Sequence, residues 1–233
     1  MATLADIQRH VGVPADGKIG PVTISAIAKA LRVETQKRTM KDPIAFFASV
    51  RDITKGLTQI QVDTINYLLE AASHWPVSWL AYGLATGWHE ARLQPIKEFG
   101  GDAYYHQMYD IEGKRPYVAR ALGNVNTGDG VRYCGRGLPQ LTGRMNYWKA
   151  GEALGLDLIE NPDLVLDLKV AVDVMVWGME TGAFTGKSLA DYMQPGGLDY
   201  LNARKIINGT DRADDIAKLA VRFQAAVQSG GWS

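Results

Sequence analysis

The sequence predicts a mainly α-helical domain with a small hairpin or loop lobe, preceded by a small N-terminal helical module. Three observations predict it. Apolar residues recur at helical spacing in several runs, strand signals are weak, and the composition turns polar between an N-terminal segment and the rest. A chain of 233 residues suffices for one domain of about 150–200 residues plus a small module. With 46% hydrophobic and 21% charged residues it has the balance of a chain with a sizeable core, which excludes wholesale disorder.

The elements follow in order. Leu4, Ile7 and Val11 share one helical spacing, and the turn-rich stretch from Val13 to Pro21 follows. Val22, Ile24, Ile27, Ala28 and Leu31 mark a second helix, with Pro21 in its first turn, where a missing N–H costs little. Residues 1–33 therefore read as a module. Residues 34–42, opening on Glu34-Thr35-Gln36-Lys37-Arg38, read as a linker, and 43–233 as the larger domain. Within it Val62, Ile65, Leu68, Leu69 and Ala72 form a helical stripe. So do Ala171, Val174, Met175 and Gly178, after the turn Asn161-Pro162-Asp163. The stretch Tyr104–Tyr109 with Asp110-Ile111-Glu112-Gly113 predicts a small hairpin, inside long loops between about residues 94 and 140. Ile216, Leu219, Ala220, Phe223 and Val227 form the last helix, with Asp211 as its N-cap and Asn208-Gly209 closing the helix before it.

The bulk numbers exclude several classes. Lys+Arg and Asp+Glu both total 25, so overall charge does not point to nucleic acid. The single Cys134 excludes an internal disulfide framework and a Cys-rich zinc site. No apolar run reaches the roughly 18–20 residues of a membrane span, so no stable membrane association is expected. Asp6, Gln8, Arg9 and His10 interrupt the N-terminal apolar residues, so no signal peptide is expected. His89-Glu90 starts like a zinc-protease motif, but Leu93 stands where the second His belongs, and no metal or other cofactor is expected. Nothing points to an obligate oligomer.

The chemistry-bearing stretch begins at Trp88-His89-Glu90. Glu90 lies near the end of a helix rich in aromatics and glycine, and Pro95 ends that helix. Glu98 then falls on a loop free to fold back and face Glu90. Two carboxyls across a cleft suit acid/base glycoside hydrolysis, one protonating the leaving oxygen and the other activating water. Spacing alone equally describes a surface pair on a helix end. A second stretch runs from Tyr133 to Tyr147. Glycines flank Arg136, and Gln140, Thr142 and Asn146 offer neutral hydrogen-bonding groups for a sugar and its water. Thr142 is also an N-cap candidate. Trp75, Trp79 and Trp88 are core residues or a sugar-stacking platform.

Tyr133 to Tyr147 resembles the family 19 chitinase signature, an aromatic followed by GRGxxQLTGxxNY. Asn161-Pro162-Asp163-Leu164, Val176-Trp177-Gly178-Met179, Phe184-Thr185-Gly186-Lys187 and residues 202–209 match further segments in order. The His-Glu pair and the loop Gly128-Asp129-Gly130 resemble the phage and prophage endolysin branch. The resemblance implies a lysozyme-like helical fold and inverting hydrolysis without a metal. Glu90 would be the general acid, Glu98 the base, and Thr142 a holder of the attacking water. His89, Tyr133, Arg136, Gln140, Asn146 and Asn208 would line the sugar cleft. The spacing from Glu90 to Glu98 is one residue shorter than the family pattern, and Asp102 and Glu112 compete for the role of base. The stretch from Ala15 to Thr23 resembles the DGxxGPxT core of small peptidoglycan-binding modules, which singles out Asp16, Gly17, Gly20, Pro21 and Thr23. The implied protein is a monomeric endolysin cutting peptidoglycan glycan strands. It would be made in a host cytoplasm, released by a holin-type pore and active on the periplasmic wall. A chitinase and an inactive glycan-binding structural protein are the rival readings.

Overall fold

The fold comes from a computed structural model that describes residues 2–13, 15, 17, 21–31, 37–194 and 196–233. It is mainly helical, with few strands. The chain divides into two compact units. The first comprises residues 1–57, 68–85 and 179–233, the second residues 58–67 and 86–178.

In the first unit, α1 (Leu4–His10) opens with a capping box, Thr3 and Asp6 each bonding the other's backbone amide. Helix α2 (Pro21–Ala30) follows the turn, with Pro21 in its first turn as expected. The packing of this segment differs from the apolar stripe that the spacing predicts. Ile7, Ile24 and Leu31 are exposed, while Gln8 and Thr23 are buried. Gln8 donates to the Thr23 hydroxyl at 3.1 Å and accepts the Gly17 amide at 2.8 Å, so one buried amide side chain ties both helices to their turn. Thr23 is thus a structural partner rather than a surface contact. Asp16 and Gly20 lie outside the described residues.

Helix α3 (Pro43–Thr54) is capped by Asp42, whose carboxylate accepts the Ala45 amide. It packs against the C-terminal helix, and Phe46 and Val50 are buried there. The interior continues with Trp75 and Trp79 edge to face and Tyr82 stacked on Tyr200. Trp75 and Trp79 are core residues: their indole N–H groups are taken by Glu180 and by the Met193 carbonyl. The C-terminal helix spans Ala213–Ser229 and buries Ile216, Ala220, Phe223 and Val227, as its period predicts. Its cap is Arg212 rather than Asp211, whose carbonyl instead accepts from buried Arg204. The stretch before it is a 3-10 turn, Asn202–Ile206.

Helix α4 (Gln59–Ala71) and the helix Leu168–Thr181 lie where the stripes place them, and α5 (Val77–Ala91) is the aromatic- and glycine-rich helix expected to carry Glu90. In the second unit α5 stops at Ala91, well before Pro95. Arg92 and Leu93 both take positive φ, the Leu93 amide returns to the Gly87 carbonyl, and buried Leu93 closes the helix end. Gln61 donates to the freed Arg92 carbonyl at 2.9 Å. Strands β1 (Ile96–Lys97) and β2 (Arg136–Gly137) pair antiparallel, Ile96 opposite Gly137 and Lys97 opposite Arg136. The predicted hairpin at Tyr104–Tyr109 is instead α6 (Gly101–Tyr109), with Asp102 in its first turn and His106 in its last, the ends where those charges suit the helix dipole. Among the described residues no helix is long and apolar enough to cross a membrane.

Candidate functional site

Glu98 follows β1 directly, and its backbone extends the short ladder: the Glu98 amide donates to the Gly135 carbonyl at 2.8 Å. The sheet therefore joins the first motif to the second. Each carboxylate oxygen of Glu98 then receives one donor, the Tyr109 hydroxyl at 2.7 Å and the Gly135 amide at 3.3 Å. A carboxylate is an acceptor-only group, and one donor on each oxygen fixes its plane. Tyr105, buried in α6, donates to the Glu98 carbonyl. Burial and the neighbouring Glu98 carboxylate push the Tyr109 hydroxyl well above its ordinary pKa, so it stays a donor.

Gly135 leaves room for two side chains at its Cα. A Cβ there would stand 2.9 Å from Gln140 Oε1 and 3.1 Å from Glu98 Oε2, so both side chains lie over its bare backbone. Gln140 itself holds φ of 55°, a strained conformation for a residue with a side chain. Its amide nitrogen donates to the Ile96 and Gly137 carbonyls, clamping β1 to β2. The Thr142 hydroxyl donates to the Gln140 carbonyl at 2.9 Å, and Asn146 donates to the Thr142 carbonyl at 2.7 Å. Gln140, Thr142 and Asn146 are thus bonded in series, and Gln140 and Glu98 meet beside Gly135. Thr142 is not a helix cap; Gly143 precedes the helix Arg144–Leu154.

His89 and Glu90 stand half-buried in the last turn of α5. Asp102 and Glu112 are exposed. Asn208 is exposed in the first unit, its side-chain Oδ1 accepting the Gly209 amide.

Tyr133 and Arg136 are buried and bonded within the second unit. Tyr133 is buried, with its hydroxyl on the Ile159 carbonyl. The Arg136 side chain is 4% exposed and reaches Asp163, the Arg132 and Cys134 carbonyls and the Tyr147 hydroxyl. A buried guanidinium needs such partners, which is why the motif pairs it with Asn161-Pro162-Asp163. Burial also raises the Cys134 thiol above its ordinary pKa, consistent with a small core residue.

Sequence reasoning missed Tyr109, Tyr105 and the buried polar residues behind them. Asp110, fully buried, accepts the Gly128 amide at 2.7 Å and the Gly130 amide at 3.2 Å. Asn124 donates to the Tyr109 carbonyl and accepts the Arg144 amide. Asp129 accepts the Val125 and Asn126 amides and pairs with Arg144. The loop Gly128-Asp129-Gly130 is therefore the brace that seats Tyr109. Its two glycine amides were a legible signal for a nearby acceptor.

Residues 87–192 match the protein-family model described as Chitinase class I. Among curated relatives, Chitinase 8 of Oryza sativa subsp. japonica is 50% identical over 118 residues, 49% of this chain and 44% of that protein. Chitinase 11 of the same plant is 42% identical over 163 residues, 63% of this chain and 61% of that protein. The Inactive chitinase-like protein 1 of Hevea brasiliensis is 43% identical over 63 residues, 27% of this chain and 20% of that protein. The chain thus spans less than two thirds of the relatives it matches. A crystal structure of a chitinase C variant superposes with a TM-score of 0.50 at 24% identity, covering 80% of this chain and 92% of that one, a likeness of fold.

Proposed function

We propose that this chain carries a glycoside hydrolase family 19 (chitinase-like) catalytic domain, as the match over residues 87–192 supports, and hydrolyses the β-1,4 glycan backbone of bacterial peptidoglycan as an endolysin. The observation that carries the reading is the doubly held Glu98 carboxylate, placed directly after the short strand that follows the Glu90 helix. Glu90 donates the proton to the glycosidic oxygen. Glu98 takes a proton from water, which attacks the anomeric carbon from the opposite face and inverts it. Thr142 and Gln140 order that water and the sugar beside it. No step calls for a metal.

Peptidoglycan is preferred to chitin on the N-terminal segment. Gln8 bonds both Thr23 and the Gly17 amide, joining the two N-terminal helices, and the resemblance of the segment between them to a peptidoglycan-binding core supports a wall-binding role. The chain would work as a monomer, reaching the wall once a membrane pore lets it through. The second reading, a chitinase, is favoured by the relatives, whose printed names are chitinases. A third is an inactive glycan binder; one relative bears the name Inactive chitinase-like protein 1.

Wild type, Glu90→Gln and Glu98→Gln incubated with purified Gram-negative peptidoglycan separate the three. New reducing ends in the wild-type digest, lost in both variants, support the endolysin, and the terminal sugar identifies the bond cut. Intact peptidoglycan with cleaved N-acetylglucosamine oligomers makes it a chitinase. No cleavage of either, with binding retained, makes it a glycan binder.

A further inference from the structure

We infer that a cavity on the helix Arg144–Leu154 is a second, non-catalytic sugar site that holds a neutral N-acetylhexosamine unit of the same glycan. The inference rests on the glycan-hydrolase reading above and deepens it.

The cavity has a volume of about 610 Å³, within the range of about 300–1,000 Å³ typical of small-ligand sites. Trp148 and Glu152 line it, one helical turn apart and so on one face of the helix. At about 100° per residue, Asn146 lies roughly 200° around the helix from Trp148. Asn146 bonds the Thr142 carbonyl, so the cavity opens on a different face from the array around Glu98.

Its floor is preformed. The chain after the helix returns across Gly151, where a Cβ would stand 2.6 Å from the Leu156 carbonyl oxygen. The Leu156 amide bonds the Gly151 carbonyl at 3.0 Å, and Asp157, also lining the cavity, accepts the Glu160 amide at 3.0 Å. Trp148 is 50% exposed, a large apolar ring held half in water beside two carboxylates.

That combination selects a ligand class. A pyranose has an apolar C–H face, which an exposed indole covers, and hydroxyl donors at its rim, which Glu152 and Asp157 accept. Two carboxylates repel phosphate, carboxylate and nucleic-acid ligands. They are too few to hold a cation, and among the described residues no group of three or more His, Cys, Asp or Glu side chains converges on one. A neutral sugar satisfies both halves of the site. Occupied by a strand of insoluble polymer, the site keeps the domain on its substrate between cuts and raises the local concentration of glycan at the cleft.

The test follows backbone and indole N–H signals by NMR while the full chain is titrated with tetra-N-acetylchitotetraose. Shifts at Gly151, Gly155 and the Trp148 indole are expected. In Trp148→Ala the two glycine signals stay still, and affinity for insoluble glycan falls about tenfold, roughly 1.4 kcal/mol. The ratio of activity on insoluble polymer to activity on soluble oligomer falls with it, and Trp148→Phe restores part of the loss. Unshifted Gly151 and Gly155 signals, or a Trp148→Ala chain that binds polymer like wild type, overturn the inference whatever happens near Glu98. Shifts at the two glycines in a chain that cleaves no glycan leave the second site standing and remove the hydrolase reading alone.

Discussion

The Tyr109 hydroxyl donates to Glu98 Oε1 at 2.7 Å, across eleven residues of sequence and from a different element. Tyr109 ends α6 and Glu98 follows β1, so the bond ties the orientation of the carboxylate to the placement of that helix. Tyr109→Phe removes the donor and keeps the ring. Under the acid/base reading we expect kcat to drop about 10- to 100-fold, because misoriented catalytic groups lose that much. KM should change little. A lost hydrogen bond to a charged group is worth about 1.5–3 kcal/mol at most. An unchanged kcat would mean that Glu98 is not the base, and Asp102 and Glu112 would then be tested in turn.

Gly135→Ala probes the same carboxylate from below. The added methyl meets Gln140 Oε1 at 2.9 Å and both Oε2 and Cβ of Glu98 at 3.1 and 3.2 Å. These are side-chain atoms at the site, and they must shift for the chain to fold. Activity should therefore fall by about tenfold or more while the melting temperature moves only by the few degrees that about 1 kcal/mol produces in a chain of this size. Parallel steady-state kinetics and thermal melts decide it: a large loss of stability with full residual activity would show that the loop yields instead of Glu98.

What was legible in the sequence was what repeats. The stripes at Val62–Ala72, Ala171–Gly178 and Ile216–Val227 gave three helices because each buries one face. The consecutive motif from Gly135 to Asn146 located the site array because its residues bond one another. The rest depended on long-range partners. Tyr104 to Tyr109 alternates aromatic and polar residues like a strand, yet Tyr105 and Tyr109 are drawn onto Glu98 as neighbours on a helix. Helix α5 stops at two left-handed residues without glycine, a geometry imposed by burying Leu93 and not encoded by Pro95. Arg136 reads as a ligand contact beside two glycines; its burial and its partners appear only in the fold. Gln8 reads as a polar interruption and is the centre of its module.

The Arg136–Asp163 pair should respond unequally to loss of its two partners. Arg136 is 4% exposed and Asp163 75% exposed at the side chain. Arg136→Lys withdraws a planar fork from the Arg132 and Cys134 carbonyls and the Tyr147 hydroxyl, leaving the Cys134 carbonyl with the Tyr147 hydroxyl alone. We expect a loss of about 3 kcal/mol or more by denaturant unfolding. Asp163→Asn should cost less than about 1 kcal/mol, as for an exposed partner. Equal losses would place the value of the pair in the charge contact itself rather than in the buried guanidinium network.

High pH should unfold the chain through its tyrosines. Burial raises the hydroxyls of Tyr109, Tyr147 and Tyr200 above their ordinary value, with the Glu98 carboxylate adding to the shift at Tyr109. The unfolded chain loses these protons near pH 10, its ordinary phenol range of about 10. The folded chain keeps them, so above that pH it binds more protons than the unfolded one and stability falls as pH rises. Below about pH 9 the contribution is fully present and these groups give no pH dependence. Stability measured from pH 8 to 11 should stay level and then decline beyond about pH 10. Phenolate absorbance should show these three tyrosines ionising only with the loss of near-UV circular dichroism. The decline should be shallower in Tyr200→Phe, which removes one of the three protons from the balance. A phenolate signal that is complete before the fold is lost would show instead that all three hydroxyls are open to solvent.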